Sequence, residues 1–210
     1  MDKKTEESLK NYNKIASNYD ETFDGKYTLE FKLQLSNVVR LENGYRVLDV
    51  ACGNGTLLKL LSDKKQIQAY GVDISENMLN EAKKKFPEMV FAYANSSELP
   101  FESDFFDAIT VSAAFHHFTE PEKFLSEAWR ILKRGGYLYI ADPYFPPVIR
   151  QITNLILRTN LTLPLTKMGD VKVYNKSELI GFLKDGNFVN IDGSRFIKKG
   201  LLAVGMKSKI

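Results

Sequence analysis

An α/β fold is predicted: a seven-stranded, mostly parallel sheet with helices on both faces and one antiparallel strand near the edge. Three observations carry this. Tyr45-Arg-Val-Leu-Asp-Val-Ala-Cys-Gly-Asn-Gly-Thr56 is an apolar run that turns abruptly glycine-rich and resumes as Leu57-Leu58-Lys59-Leu60-Leu61, the pattern of strand, tight turn and helix. β-type and helix-type runs then alternate as far as Ala141, as a parallel sheet with crossover helices requires. Lastly, Phe188–Asp192 and Leu201–Met206 are β-type runs joined too closely for a crossover, so they pair antiparallel.

Residues up to about 40 read as two helices ahead of the sheet. On the second, Leu29, Leu33 and Val39, and also Phe31, Leu35 and Val38, mark apolar positions. After the first strand and its helix come strands at Ile67–Val72, Met89–Ala94, Phe106–Ala113 and Tyr137–Ala141. Ser75 can cap a helix whose inward face is Met78, Leu79, Ala82 and Phe86. Thr119-Glu-Pro-Glu122 has capping-box form ahead of Phe124, Leu125, Ala128, Ile131 and Leu132, and Gly135-Gly136 stops that helix. Ser177–Lys184 is the last helix, with Gly186 as its stop.

One domain is expected, with a helical cap over 1–42, a core over 43–143, an insertion over 144–175 and a C-terminal helix with two strands over 176–210. In the insertion, Pro146-Pro147 opens a helix with Val148, Ile149, Ile152, Leu155 and Ile156 apolar, and Leu161-Thr-Leu-Pro-Leu165 follows. Such a segment is read as a substrate lid, with a contact between two copies and a rest on a membrane surface as the alternatives. Arg150 and Arg158 break it too often for burial in lipid.

The bulk numbers exclude several classes. The 29 basic and 26 acidic residues give a net charge of +3, spread along the chain; Lys83-Lys84-Lys85 reads as a solvated helix face, with no strong nucleic-acid signal. The single cysteine, Cys52, forbids an internal disulfide and a thiolate metal cluster, and no metal-ligand pattern is read. The charged N-terminus and the lack of a membrane-length apolar run lead to the expectation of a soluble, cytoplasmic protein.

Which ligand the glycine turn takes is decided by its neighbours. Gly53 and Gly55 let a ligand lie against backbone, but a dinucleotide fingerprint needs a third glycine where Leu58 stands. Asp49 sits poorly beside a pyrophosphate and suits an ammonium group, while the N–H groups opening the next helix suit a carboxylate. Roughly twenty residues past the turn, Asp73 ends the second strand, placed to accept from ribose hydroxyls. Ribose plus amino acid, without phosphate, describes S-adenosylmethionine. An NAD(P)-dependent oxidoreductase and a binding module without turnover are the alternatives.

The chain resembles the class I S-adenosylmethionine-dependent methyltransferases, and within them the small-molecule enzymes of the ubiquinone/menaquinone-biosynthesis type. The resemblance rests on Val47–Gly55, Gly71-Val-Asp-Ile-Ser75, Asn95-Ser-Ser-Glu-Leu-Pro-Phe101, Phe105-Phe-Asp-Ala-Ile109 and Arg130-Ile-Leu-Lys-Arg-Gly-Gly136, in that order. Ala51 replaces the usual first glycine, Asn95 a common aspartate and Arg134 the usual proline. The resemblance implies a Rossmann-like fold and methyl transfer to a small organic acceptor through an O, N or C nucleophile. It implies cofactor contacts from Asp49, Ala51, Gly53, Asn54, Gly55 and Ser112 at the amino-acid end, Asp73 at the ribose, and Ile74, Met78, Asn95 and Ser96 at the adenine. Tyr12-Asn-Lys-Ile-Ala-Ser-Asn-Tyr-Asp20 resembles a segment that folds over the cofactor, which makes Tyr19 a cofactor neighbour and Tyr12 a substrate-cavity residue.

Ser112-Ala-Ala-Phe-His-His-Phe118 leaves the fourth strand carrying both histidines of the chain. His116 and His117 are the general-base candidates, or else hold the loop. Asp142-Pro143-Tyr144 superficially matches a motif of amino-methylating DNA enzymes, but it follows the fifth strand rather than the fourth; Asp142 and Tyr144 are read as cavity wall. A possible homodimer contact falls in 144–175.

Overall fold

A computed structural model describes residues 2–159 and 169–209. Seven strands form one sheet in the order β3-β2-β1-β4-β5-β7-β6: β1 Arg46–Val50, β2 Gln68–Asp73, β3 Val90–Tyr93, β4 Phe106–Ser112, β5 Leu132–Pro143, β6 Phe188–Ile197 and β7 Gly200–Lys207. β7 runs antiparallel to both neighbours, and the other pairings are parallel. The strand order reverses between β1 and β4, so a groove opens beyond their C-terminal ends, the usual ligand position in such sheets.

Strand alternation sends Val47, Ala69, Ala108 and Tyr139 to one face. Helices α2 (Phe23–Val38), α3 (Thr56–Ser62) and α4 (Glu76–Lys85) cover that face through Phe31, Leu35, Leu57, Leu58, Leu61, Leu79 and Ala82. Leu48, Val50, Ile109 and Leu138 point the other way, against α5 (Pro121–Ile131) and α7 (Lys176–Asp185), through Phe124, Leu125, Ala128, Leu179 and Leu183. Helix α1 (Lys3–Ile15) and a 3₁₀ turn (Ala16–Glu21) lie outside both layers, over the groove. Helix α6 is Pro147–Arg158.

Four local expectations need correction. In α2, Leu29, Leu33 and Val38 are exposed, and the buried stripe is Thr28, Phe31, Lys32, Leu35 and Ser36 with Val39 just beyond. Thr119 does not cap α5: Pro121 occupies the first turn, where its missing N–H costs nothing, and Thr119 Oγ1 donates instead to Asp2 Oδ2 at 3.0 Å. Gly135-Gly136 does not stop α5; the helix ends at Ile131, and the glycines lie inside β5, beside a register shift against β4. The strand expected over Phe188–Asp192 runs on to Ile197, so Gly193-Ser194 lies within β6. The expected box form occurs instead at Asn175, which accepts from Glu178 N while Glu178 Oε2 accepts from Asn175 N at 2.7 Å. Leu161–Leu165 of the expected insertion lies outside the described residues.

Candidate active site

The groove is a cavity lined on one side by the β1–α3 turn and on another by α1. Ala51 in that turn has φ +58°, a left-handed conformation that costs an alanine about 1 kcal/mol and explains why a glycine is the easier residue there. Gly53, at φ +53°, would meet nothing within 4 Å if it carried a Cβ, so open space lies directly on its backbone. Asp73, at the end of β2, accepts from Gly53 N through Oδ2 and from Ser75 N through Oδ1, both at 2.8 Å. Two of its four acceptor directions are thereby used in building the turn. Burial raises the Asp73 pKa, against the hydrogen bonds from Ser75 and Gly53.

Of the residues expected at a cofactor, Ala51, Gly53, Asp73, Ile74, Met78, Asn95, Ser96, Ser112 and Tyr19 line this cavity, as do Tyr12 and His117. Ser112 Oγ is buried with no hydrogen-bond partner among the described residues, so it is free for a ligand. Tyr19 donates or accepts at Thr28 Oγ1, 2.9 Å away, and burial pushes its phenol up to about 12.

Six expected residues lie elsewhere. Asn54 Nδ2 turns back to Asp20 Oδ1 at 2.7 Å, and Gly55 opens α3 against the rings of Phe86 and Phe91. Asp142, at the end of β5, accepts from His116 Nδ1 at 2.9 Å and so faces the histidine loop. Tyr144 lies under the Arg195 guanidinium, 4.2 Å from ring centroid. His116 stands behind His117, between Asp142 and Asp170. Asp49 lies beneath the turn, 2% exposed, accepting from Thr110 Oγ1 at 2.7 Å.

Burial, opposed by Thr110 and Lys32 and reinforced by Asp73, raises the Asp49 pKa to about 7. An unfolded aspartate titrates near ~3.9. As pH climbs from about 4 to about 7 the unfolded chain therefore ionises first, and stability falls across that window. Asp49→Asn should accordingly raise the urea midpoint at pH 8 and leave it nearly unchanged at pH 4; an equal shift at both pH values would contradict the raised pKa.

Lys32 is a buried charged residue on the cavity wall that the sequence reading missed, as it missed Leu9 and Phe118. It is 7% exposed, its ammonium lies 5.1 Å from the Tyr19 ring centroid, and burial lowers its pKa against the pull of Asp49 and Asp20. Its place on the Thr28–Leu35 stripe was the available signal.

The two histidines differ. His117 Nε2 lies 3.2 Å from Tyr12 Oη. Burial and the adjacent His116 hold the His117 pKa well below the ordinary histidine range. Burial would also lower His116, but Asp142 and Asp170 pull it up to about 9. Neutral His117 thus faces the cavity while a charged His116 backs it.

The methyltransferase domain family model matches residues 48–140. Over 165 residues, 75% of this chain and 69% of its relative, the chain is 32% identical to the demethylmenaquinone methyltransferase of Renibacterium salmoninarum. The chain belongs to the class I S-adenosylmethionine-dependent methyltransferases of the ubiquinone/menaquinone-biosynthesis type. It is 27% identical to the UbiE ubiquinone/menaquinone biosynthesis C-methyltransferase of Campylobacter jejuni, across 92% of this chain and 94% of that one. Among solved structures, the methyltransferase bound to the Trm112 activator of Haloferax volcanii superposes with a TM-score of 0.77 at 20% identity, covering 94% and 97% of the two chains. This methyltransferase therefore uses S-adenosylmethionine and transfers its methyl to a small organic acceptor. The oxidoreductase alternative falls away. The cavity fits the cofactor: open backbone at Gly53, a ribose-competent carboxylate at Asp73, an unsatisfied hydroxyl at Ser112 and a buried cation at Lys32. Among the described residues no helix is long and apolar enough to cross a membrane.

Proposed function

We propose that the acceptor is an aromatic compound bearing an ionisable hydroxyl, methylated at oxygen or at a ring carbon activated by loss of that proton. One observation carries this: the Tyr12–His117 pair faces the same cavity as Asp73, Gly53 and Ser112, with Leu9 and Phe118 supplying apolar wall beside it. Bound S-adenosylmethionine supplies an electrophilic methyl on a positively charged sulfur. In our reading Asp73 holds its ribose, Asn95, Ser96, Ile74 and Met78 surround its adenine, and Lys32 takes its carboxylate. Asp49 acts through the field beneath the turn. Neutral His117 accepts the acceptor's proton, directly or through Tyr12, and leaves an oxyanion whose charge is shared with the ring. Roofing by α1 excludes water and holds the acceptor at about 3–3.5 Å from the methyl. The names of the relatives, which methylate quinone precursors, favour the same class.

Calorimetry should show saturable heat with S-adenosylmethionine and none with NAD. In an acceptor panel analysed by mass spectrometry, quinols and phenols should gain a methyl, and amines should not. Methylation of amines alone would overturn the acceptor class.

Helix α6 contributes no lining to the cavity; its Val148, Ile149, Ile152 and Leu155 are 53–68% exposed. Of the roles open to the 144–175 segment, a contact between two copies suits this face better than a lid, and a monomer in sedimentation at tens of micromolar would refute it. The lone thiol of Cys52, buried in the turn, suits the reducing cytoplasm as the working compartment.

A further inference from the structure

Behind the cavity wall two imidazoles and a carboxylate converge. His116 Nε2 is 3.6 Å, and His117 Nδ1 3.2 Å, from the same oxygen, Asp170 Oδ1. All three atoms lie within 4.8 Å of one another. The edge of a tetrahedron of nitrogen and oxygen ligands around zinc is roughly 3.3 Å, given metal–ligand bonds of about 2.0–2.1 Å. We infer that His116 Nε2, once metal binding displaces its proton to solvent, forms with His117 Nδ1 and Asp170 Oδ1 a three-ligand site for a divalent transition-metal cation of the zinc type, with a fourth position left for water.

Four independent features support the site. Asp142 holds His116 Nδ1 at 2.9 Å, which turns Nε2 toward Asp170; a carboxylate behind a ligating imidazole is the common outer-shell arrangement at such metals. His117 Nδ1 is buried and without a hydrogen bond; the Gly169 backbone bears on the ring but does not satisfy that atom. Charge points the same way. Three carboxyl groups, those of Asp142, Asp170 and Asp24, bear on His116. Finally, Asp170 is firmly placed. Val171 N donates to His116 O at 2.9 Å, and the preceding Gly169 packs so closely on α1 that a Cβ there would lie 2.6 Å from Ser8.

A bound cation would fix the proton of His117 on Nε2, so a loaded site and base catalysis by His117 exclude each other. That consequence rests on the reading of His117 given above; the binding test does not. Untagged protein stripped with chelator is titrated with Zn²⁺ by calorimetry, and with Co²⁺ by visible absorption. One Zn²⁺ per chain and the intense bands of four-coordinate cobalt are expected. Asp170→Asn and His116→Ala should each weaken binding at least tenfold while retaining S-adenosylmethionine binding as proof of folding. Should either fail to fold, His117→Gln replaces it. No saturable zinc heat, six-coordinate cobalt alone, or unchanged affinity in the folded variants would overturn the site.

Discussion

Replacing His117 with alanine is expected to slow methyl transfer to a phenol or quinol by ~10²–10⁴-fold, the usual contribution of a positioned base. Cofactor affinity should change by less than about threefold, because the loss falls on an interaction made in the transition state. The assignment follows from its surroundings. Burial and the neighbouring His116 keep His117 neutral and able to accept a proton, whereas His116, between two carboxylates, already holds one. Tyr12 cannot replace it, since burial holds its phenol well above the ordinary range and therefore protonated. The diagnostic measurement is single-turnover rate against acceptor acidity in metal-free protein. Acidic acceptors, already ionised, should be methylated almost equally by wild type and H117A, and weakly acidic ones should separate the two. Parallel slopes would remove His117 from the chemistry.

Asp73→Ala should weaken S-adenosylmethionine binding at least tenfold, about 1.4 kcal/mol, without unfolding the protein. On the proposed role of Asp73, charge-assisted bonds to two ribose hydroxyls would account for part of the loss. The remainder comes from the turn itself, because the same carboxylate accepts from Gly53 and Ser75. Comparing S-adenosylmethionine with its 2′,3′-dideoxy analogue separates the two: the ribose share disappears with the hydroxyls, and the turn share persists. An unchanged dissociation constant would place the ribose elsewhere.

The residues legible in the sequence are those whose position follows from local chain geometry. Asp49, Ala51, Gly53 and Asp73 sit at fixed offsets around a strand, a turn and the next strand, so reading that pattern locates them. Even there, direction is a further matter: the Asn54 side chain turns back to Asp20, and the Gly55 backbone sits against the Phe86 and Phe91 rings. Lys32 was missed because a lysine on a helix is ordinarily solvent-facing, and which side of α2 meets the sheet depends on tertiary packing. The sequence sets His116 and His117 side by side, but their surroundings diverge through Asp142 and Asp170, which reach them from distant elements. No spacing rule links Asp170 to position 116. The cap at Thr119 failed for a stereochemical reason, since the ring of Pro121 fixes where α5 begins.

Helix α1 has few greasy side chains, mainly Leu9, Tyr12 and Ile15, and is tied down instead by polar stitches: Asp2 to Thr119, Tyr12 to His117, and Asn13 to Ser75 and Asn77. Such fastenings exchange readily with solvent, so this helix belongs to the least tenacious part of the molecule. Because α1 lies over the cavity, a crosslink pinning the amino terminus down is expected to slow departure of the spent sulfide product.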